Sequence, residues 1–434
     1  MKNLYIILFS LLMVSACSDL DQSPPLEASA GSLTDFDGLL NAAYYYQQAS
    51  TTPLAIMGDF RADNMLMAEE PYPAFDRFNP DLAGGDLVGQ FFQPYYSFLY
   101  KSILSANGVI DNSTNGNTVG EAQFLRGLSY FKLAKVFGDV PINLESSPSP
   151  DNTDIIARQA VSTVYNDVII PDLESAISAL DNSGLPSGRA TQIAAQGMLG
   201  KVYMQLGDFG NAETQLAAVV NGAAGAGIAL IDSFQNIFGE ENDLNAEILF
   251  ATQQSSSIED EYGFTLFPGW FSGGDTKSLT PLDSDLVAAF DASPGDLRRQ
   301  YTIDEDLMTG PKWGGLDQDW IELRFGDVVL LYAEALNENG NTSGALTQLN
   351  RIRTRAGLAN STASSQGDVR AAIQAERRLE LAFEGQRWFD LVRTGTVDAA
   401  MGTAVNPIYH LFPLPDSEIL SSNGIITQNP GYEL

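Results

Sequence analysis

Hydrophobic positions recur three and four residues apart along most of the chain, the mark of helices that bury one face. The first such stretch is "LTDFDGLLNAAYYYQQ", where Phe36, Leu39, Leu40 and Ala43 form a stripe and Thr34 or Asp35 stands at the capping position. The pattern returns in "FFQPYYSFLYKSILSANGVIDN" and in "EAQFLRGLSYFKLAKVFGDVP". In the second of these Phe124, Leu125, Leu128, Phe131 and Ala134 share a face, and Gly138 and Pro141 end it. "STVYNDVIIPDLESAISAL" predicts a further helix. In residues 194–220, Leu199, Gly200, Tyr203, Gly207, Phe209 and Ala212 stand in the tetratricopeptide arrangement. There, small residues let two antiparallel helices close up, and Gly-Asp makes the turn. "LLYAEALNENGNTSGALTQLN" repeats it, with Ala333, Gly340 and Ala345 where the first unit has Gly200, Gly207 and Ala212. The two units lie 133 residues apart, so they are not a tandem solenoid. Two ordinary helical hairpins are the alternative reading.

The helical pattern fails in two places. Residues 51–94 mix aromatics, acids, Gly and Pro, as in "MGDFRADNMLMAEEPYPAFDRF". Residues 221–320 hold a strand-like "AEILFATQQ" and then a glycine-rich loop carrying Tyr262, Phe264, Phe267, Trp270 and Phe271. Long irregular segments inside a compact protein are usually functional or disordered, and the aromatic content of both argues for function. The tail from His410, "HLFPLPDSEILSSNGIITQNPGYEL", is extended and proline-punctuated, and is expected to pack Leu411, Phe412 and Ile419 onto the helices. His410, beside apolar residues, reads as a packed structural group.

The first residues follow a different rule. Lys2 precedes an apolar run from Leu4 to Val14, and the small residues Ser15 and Ala16 precede Cys17. This is the layout of a secretory signal. The run is too short for a membrane span, which needs about twenty residues. Val-Ser-Ala-Cys resembles a bacterial lipobox, so residues 1–16 read as a signal peptide, Cys17 as the lipidation site and residues 17–32 as a tether. One domain is expected over 33–434.

Composition narrows the chemistry. The chain has 434 residues, one cysteine and one histidine. With Cys17 committed to lipid, no disulfide forms within a monomer. Histidine dyads and multi-histidine metal sites are excluded. There are 55 acidic against 23 basic residues, a net charge of −32. Such a surface repels nucleic acid and suits a neutral ligand. Among so many acids, two carboxylates close in sequence carry no information, so hydrolysis by a carboxylate pair has no support here.

"IQAERRLELAFEGQRWFDLVRTG", residues 373–395, is the most distinctive helix. Leu379, Ala382 and Phe383 line one face. Arg377, Glu380, Glu384 and Arg387 line another, with Arg377–Glu380 and Glu384–Arg387 placed to pair along it. Glu380 and Glu384 are like charges one turn apart and need outside partners, for which Arg351, Arg353 and Arg355 of "NRIRTRAG" are the expected source. The stripe reads as an ion network locking helices together, with catalytic acids as the alternative.

Taken in order, "FLRGLSYFKLAKVFGDVP", "GKVYMQLGDFGNAE", "LRFGDVVLLYAEALNENG", "LNRIRTRAGL", "ERRLELAFEGQRWFDLVRTG" and "LFPLPDSEI" resemble the SusD/RagB family of outer-membrane lipoproteins of Bacteroidota. The resemblance runs from the lipobox to the C-terminus, and Asp19 and Asp21 resemble the family's surface-export signal. It implies a mostly α fold, a scaffold of tetratricopeptide-like helix pairs with loop-rich insertions and a few short strands. It implies a binder and not an enzyme, with no cofactor or metal. The partners implied are an oligosaccharide or polysaccharide, a β-glucan among the candidates, and a SusC-type TonB-dependent transporter over which the protein acts as a lid. The membrane is reached through the lipid alone. Many members are longer, so a simpler or shallower site is expected.

Family sites draw on the two irregular segments. Arg61, Asp63 and Asn64 are the expected hydroxyl partners, with Tyr72 and Phe75 for stacking. Trp270, in Phe-Pro-Gly-Trp-Phe, is the leading stacking platform and Tyr262 the second. An apolar sugar face packs on an aromatic ring while rim polar groups bond the hydroxyls. Asp63-Asn64 could equally cap a turn. Trp388 and Trp320 read as core, and Trp313 is left open. Peptide capture on the same fold, a secreted glycoside hydrolase and a plain tetratricopeptide scaffold are the rival readings.

Overall fold

The structure is a computed structural model that describes residues 36–149, 152–255, 267–273 and 280–433. Cys17, the signal and tether segments and Tyr262 lie outside the described residues. Ten helices carry most of the framework: α1 (Asp37–Tyr46), α2 (Gln93–Asn112), α3 (Gly116–Phe137), α4 (Ile170–Ala179), α5 (Gln192–Leu206), α6 (Phe209–Gly222), α7 (Phe325–Glu338), α8 (Thr342–Arg355), α9 (Gln366–Glu380) and α10 (Arg387–Thr394). From α1 to α8 each packs on the next in sequence, and α9 closes onto α7. The fold is therefore mostly α, a tetratricopeptide-like scaffold with few short strands, as expected.

The two repeat units form through the same local chemistry. Gly207 ends α5 at φ 71°, and Gly340 turns at φ 87° just after α7. Both are left-handed positions that suit glycine. The following Asp208 and Asn341 then cap α6 and α8, their side chains accepting from the backbone N–H of Asn211 (3.1 Å) and Gly344 (3.0 Å). The close approach also needs Gly200, where a Cβ would come within 2.6 Å of the Leu216 side chain.

Two antiparallel strand pairs complete the frame. β1 (Val140–Pro141) pairs with β2 (Arg158–Gln159), and β3 (Ile248–Thr252) with β4 (Trp320–Arg324). Thr252 faces Trp320 and Ala251 faces Ile321. Every residue of β3 and β4 is buried, and β4 runs directly into α7.

The first irregular segment differs from its sequence reading. Residues 51–60 wind as a short α-helix and a π-helical turn, and Leu54, Ala55, Ile56, Met57 and Phe60 are fully enclosed. Gly58 makes this possible, since a Cβ there would fall 2.2 Å from the Gly385 backbone. Asp59 ties the contact. Its carboxylate accepts from the N–H groups of Phe383 (3.1 Å) and Gly385 (2.7 Å) and from the Asn64 amide (2.9 Å). Burial still pushes that carboxyl up to about 6.

Below this turn lies a buried ion network. Arg324 bonds Glu247 (2.8 Å), Glu380 (2.6 Å) and Glu384 (2.8 Å). Arg298 holds Asp296, Glu376 and Glu380, Arg355 holds Glu247 and Glu380, and Lys312 holds Glu384. Burial alone would raise the Glu380 carboxyl, but Arg355, Arg324 and Arg298 together hold it well below the usual range. The structural reading of Glu380 and Glu384 is thus correct, while the pairing along one helix is not. α9 ends at Glu380, and the chain reverses through Phe383 at φ 67°. Arg377 turns instead to Asp327 and Asp390, and Arg387 to Asp63.

Candidate functional site

Most residues expected at the ligand site are framework. Arg61 is 0% exposed. Its guanidinium sits in an aromatic cage, 4.9 Å from the Phe78 ring centre, 5.1 Å from Trp388 and 5.0 Å from Phe412. It donates to the carbonyls of Phe75 (2.8 Å) and Tyr409 (2.6 Å), joining the first segment to the tail. Asp63 is 5% exposed and grips Arg387 with both oxygens, at 2.6 and 2.8 Å. Burial would raise its carboxyl, but Arg387 and Arg378 outweigh that and lower it. Asn64 is enclosed between Asp59 and Arg378.

The expected stacking rings are also covered. Phe75 is fully buried, and Tyr72 is buried with its hydroxyl donating to Gln90 (2.9 Å). Trp270 is 2% exposed, with the rings of Tyr72, Phe91 and Phe60 at 5.5, 5.7 and 6.4 Å. A stacking platform must offer a free face, so these assignments are corrected: Arg61, Asp63, Asn64, Tyr72, Phe75 and Trp270 are enclosed in the framework. Trp388 and Trp320 are core as expected, and Trp313 joins them, its indole N–H donating to the Phe383 carbonyl (2.7 Å). His410 packs edge-on to Trp388, and burial lowers its pKa.

An aromatic hollow does open beside the second irregular segment, on the other side of β3. It encloses about 270 Å³ between α1 and the strand end, and is bordered by Asn41, Tyr44, Tyr45, Gln48, Phe250, Gln253 and Gln254. It ends at Ser255, where the aromatic loop begins. Each wall residue follows from local structure. α1 is amphipathic, and its run Tyr44-Tyr45-Tyr46 turns successive rings through about 100° each. Tyr44 points inward, donating to Glu121 (2.6 Å) and accepting from the Ala190 N–H (2.8 Å). Its ring is covered by Arg189 at 4.3 Å, and burial keeps its phenol protonated. Tyr45 is 37% exposed and leans on Tyr46, ring centres 5.6 Å apart. It is the aromatic face this hollow offers to solvent.

The polar wall is made of carboxamides. Gln48 donates to the Gln253 carbonyl (2.7 Å), and its side-chain oxygen has no partner among the described residues. Asn41 accepts from Arg189 (2.8 Å) through its oxygen, leaving its N–H₂. Gln254 donates to the Thr51 hydroxyl (3.1 Å), while its side-chain oxygen is buried with no partner among the described residues. An unspent buried acceptor is costly unless a donor arrives. The wall thus presents donors and acceptors with one exposed aromatic face and no unpaired charge, which suits an uncharged, hydroxyl-rich ligand. The tyrosine triplet was the available sequence signal, since three consecutive tyrosines on one helix cannot all face the core.

Comparison with known proteins places the chain. A model of the SusD family matches residues 297–432, and a SusD-like model described as starch-binding and associating with the outer membrane matches residues 76–204. A SusD-like protein P2 of Formosa agariphila is 25% identical over 99% of this chain and 99% of its own. A SusD-like protein of Bacteroides ovatus is 25% identical over 90% of this chain and 82% of its own. Among solved structures, a SusD superfamily protein of Parabacteroides distasonis superposes with a TM-score of 0.75 at 20% identity, covering 94% of this chain and all of the other. A laminarin-binding SusD-like protein gives 0.72 at 24% identity, covering 92% and 99%. Together, the two family models, the SusD-like relatives and the shared fold support a SusD/RagB family protein.

Proposed function

We infer that this protein captures a neutral oligosaccharide or polysaccharide at the hollow between α1 and β3, with Tyr45 as the stacking face. The observation that carries the reading is the composition of that hollow: an exposed tyrosine, free carboxamides, a buried unspent acceptor at Gln254 and no unpaired charge. A pyranose packs its C–H face on the ring and bonds its hydroxyls to the amides. The laminarin-binding relative makes a β-glucan the first ligand to try.

The wider role is the one the lipobox and the family imply. Cys17 carries lipid, holding the protein at the outer membrane with its site facing outward, each buried methylene adding about 0.8 kcal/mol. A SusC-type TonB-dependent transporter receives the glycan as this protein closes over it. Weak affinity for one unit is adequate when a polymer presents many. No bond is broken. Affinity electrophoresis through gels carrying laminarin, starch or a fructan tests the reading, with retardation in at least one expected. Mobility unchanged in all three, together with binding of basic peptides by the acidic surface, would assign the fold to peptide capture.

A further inference from the structure

Another opening shares no residue with the hollow at Tyr45. A groove of about 660 Å³ separates the 230–232 segment from α8. Its helical wall is a stripe at three- and four-residue spacing that includes Asn350, Arg351, Thr354 and Arg355, and Ile231 and Asp232 face it. What sets the groove apart is how its arginines are partnered. With a net charge of −32, nearly every described arginine has a carboxylate partner. Arg61 and Arg158 have none but are engaged by backbone carbonyls, Arg158 through those of Asp139, Thr427 and Phe137.

Arg351 is different. Its Cζ lies over the Phe325 ring, 5.3 Å from the centre, and it gives one hydrogen bond, to Gln348 (2.7 Å). Its Nε and second terminal nitrogen have no partner among the described residues, and no carboxylate offsets the burial that lowers its pKa. Arg355 adds a second donor. Its side chain is 4% exposed and its terminal nitrogens hold Glu247 and Glu380, yet its Nε is buried with no partner among the described residues. Asn350 accepts from the Ser361 N–H (2.8 Å) through its oxygen, so its N–H₂ is unspent. The acid lining the groove is Asp232, on the far wall; Glu247 is fully buried behind Arg355, occupied by two arginines and the Ile231 N–H.

We propose that this groove is a second glycan subsite, taking a sugar that carries a single sulfate ester or carboxylate. Arg351 supplies the charge and a planar pair of donors matched to two oxygens of one anionic group. Asn350 and Thr354 take neighbouring hydroxyls, and Ile231 meets the apolar ring face. A dense polyanion is disfavoured by the surrounding charge, whereas one substituent sits within about a Debye length of Arg351 and is attracted. The inference rests on the glycan reading but on different residues.

The test titrates D-glucuronate and D-glucose 6-sulfate, with D-glucose as the neutral control, into the protein while following arginine side-chain N–H signals by NMR. Both charged sugars are expected to bind at least about tenfold more tightly than glucose and to shift Arg351. Arg351→Gln abolishes the difference and Arg351→Lys retains part of it. Equal binding of charged and neutral sugars, or a charge preference that survives Arg351→Gln, overturns the proposal. If only one charged sugar binds, the proposal stands and its anion is identified. Tyr45→Ala is run in parallel: it weakens neutral-glycan binding at the first hollow and leaves the charge preference intact, so failure of one site is separable from failure of the other.

Discussion

Polar side chains gather in two very different ways in this molecule. Around Glu380 and Asp63 they are ionised, buried and paired with arginines from distant parts of the chain. Around Tyr45 they are neutral amides, some at the surface and Gln254 just beneath it, with bonding capacity left over among the described residues. A charge taken out of water must be matched at once, so the first kind of cluster is complete and specifies how the segments dock. A neutral amide tolerates partial hydration, so the second kind can wait for a ligand. The difference separates scaffold from site more reliably than residue type does, since arginine, aspartate, asparagine and tryptophan were all read as ligand contacts and all proved to be scaffold.

The comparison can be broken most severely at Arg324. Arg324→Ala leaves Glu247, Glu380 and Glu384 without their shared cation, and a loss of about 3–5 kcal/mol is expected, measured by urea unfolding. An unchanged midpoint would mean the network does not hold the fold. Next comes Trp270. Trp270→Ala opens a void among Phe60, Tyr72 and Phe91 and is expected to cost ~3–4 kcal/mol by the same measurement. A variant that binds poorly yet melts normally would return Trp270 to the ligand site. Tyr45→Ala is the opposite case, expected to weaken glycan binding by ~1–2 kcal/mol while the melting temperature stays within a degree or two.

The smallest effect is in the pH dependence. Asp319, whose carboxyl accepts from the Gln254 N–H behind the hollow, is pushed up to about 7 by burial. Its folded value lies above its unfolded one, so the folded state binds the extra proton. That contribution is fully present below the unfolded value near 4 and is lost as pH rises through about 7. Melting temperature is therefore expected to fall between pH 6 and 8, and Asp319→Asn to flatten the decline by an amount on the order of 1 kcal/mol. Asp63 has the opposite sign: Arg387 and Arg378 lower it, so its contribution is present above the unfolded value and lost in acid.

What could be read in the sequence was local. The Gly207-Asp208 and Gly340-Asn341 turns were legible because cap and left-handed glycine lie within a few residues of each other. The pairing of Glu380 with Arg355 was legible because two like charges one turn apart demand a cation. Arg298 and Arg324 as partners were not, since nothing local links them to α9. Nor was the burial of Arg61, Asp63 and Asn64. Residues 51–65 lack helical periodicity because they are covered on all sides, by Gly385, the tail and the rings of residues 267–271, and a segment buried all round has no stripe to show. Polar residues there looked like a rim, when they are the hydrogen bonds that a non-repetitive buried backbone requires. Tyr45 was passed over for the converse reason: it lies in a regular helix, where an aromatic is taken for core.

The central claim is the location of the ligand face, and ring NMR signals of Tyr45 and Trp270 during titration with a laminarin oligosaccharide test it most directly. The expected result is movement of the Tyr45 signals with the Trp270 indole unmoved. Movement of the indole with Tyr45 unchanged would contradict the account.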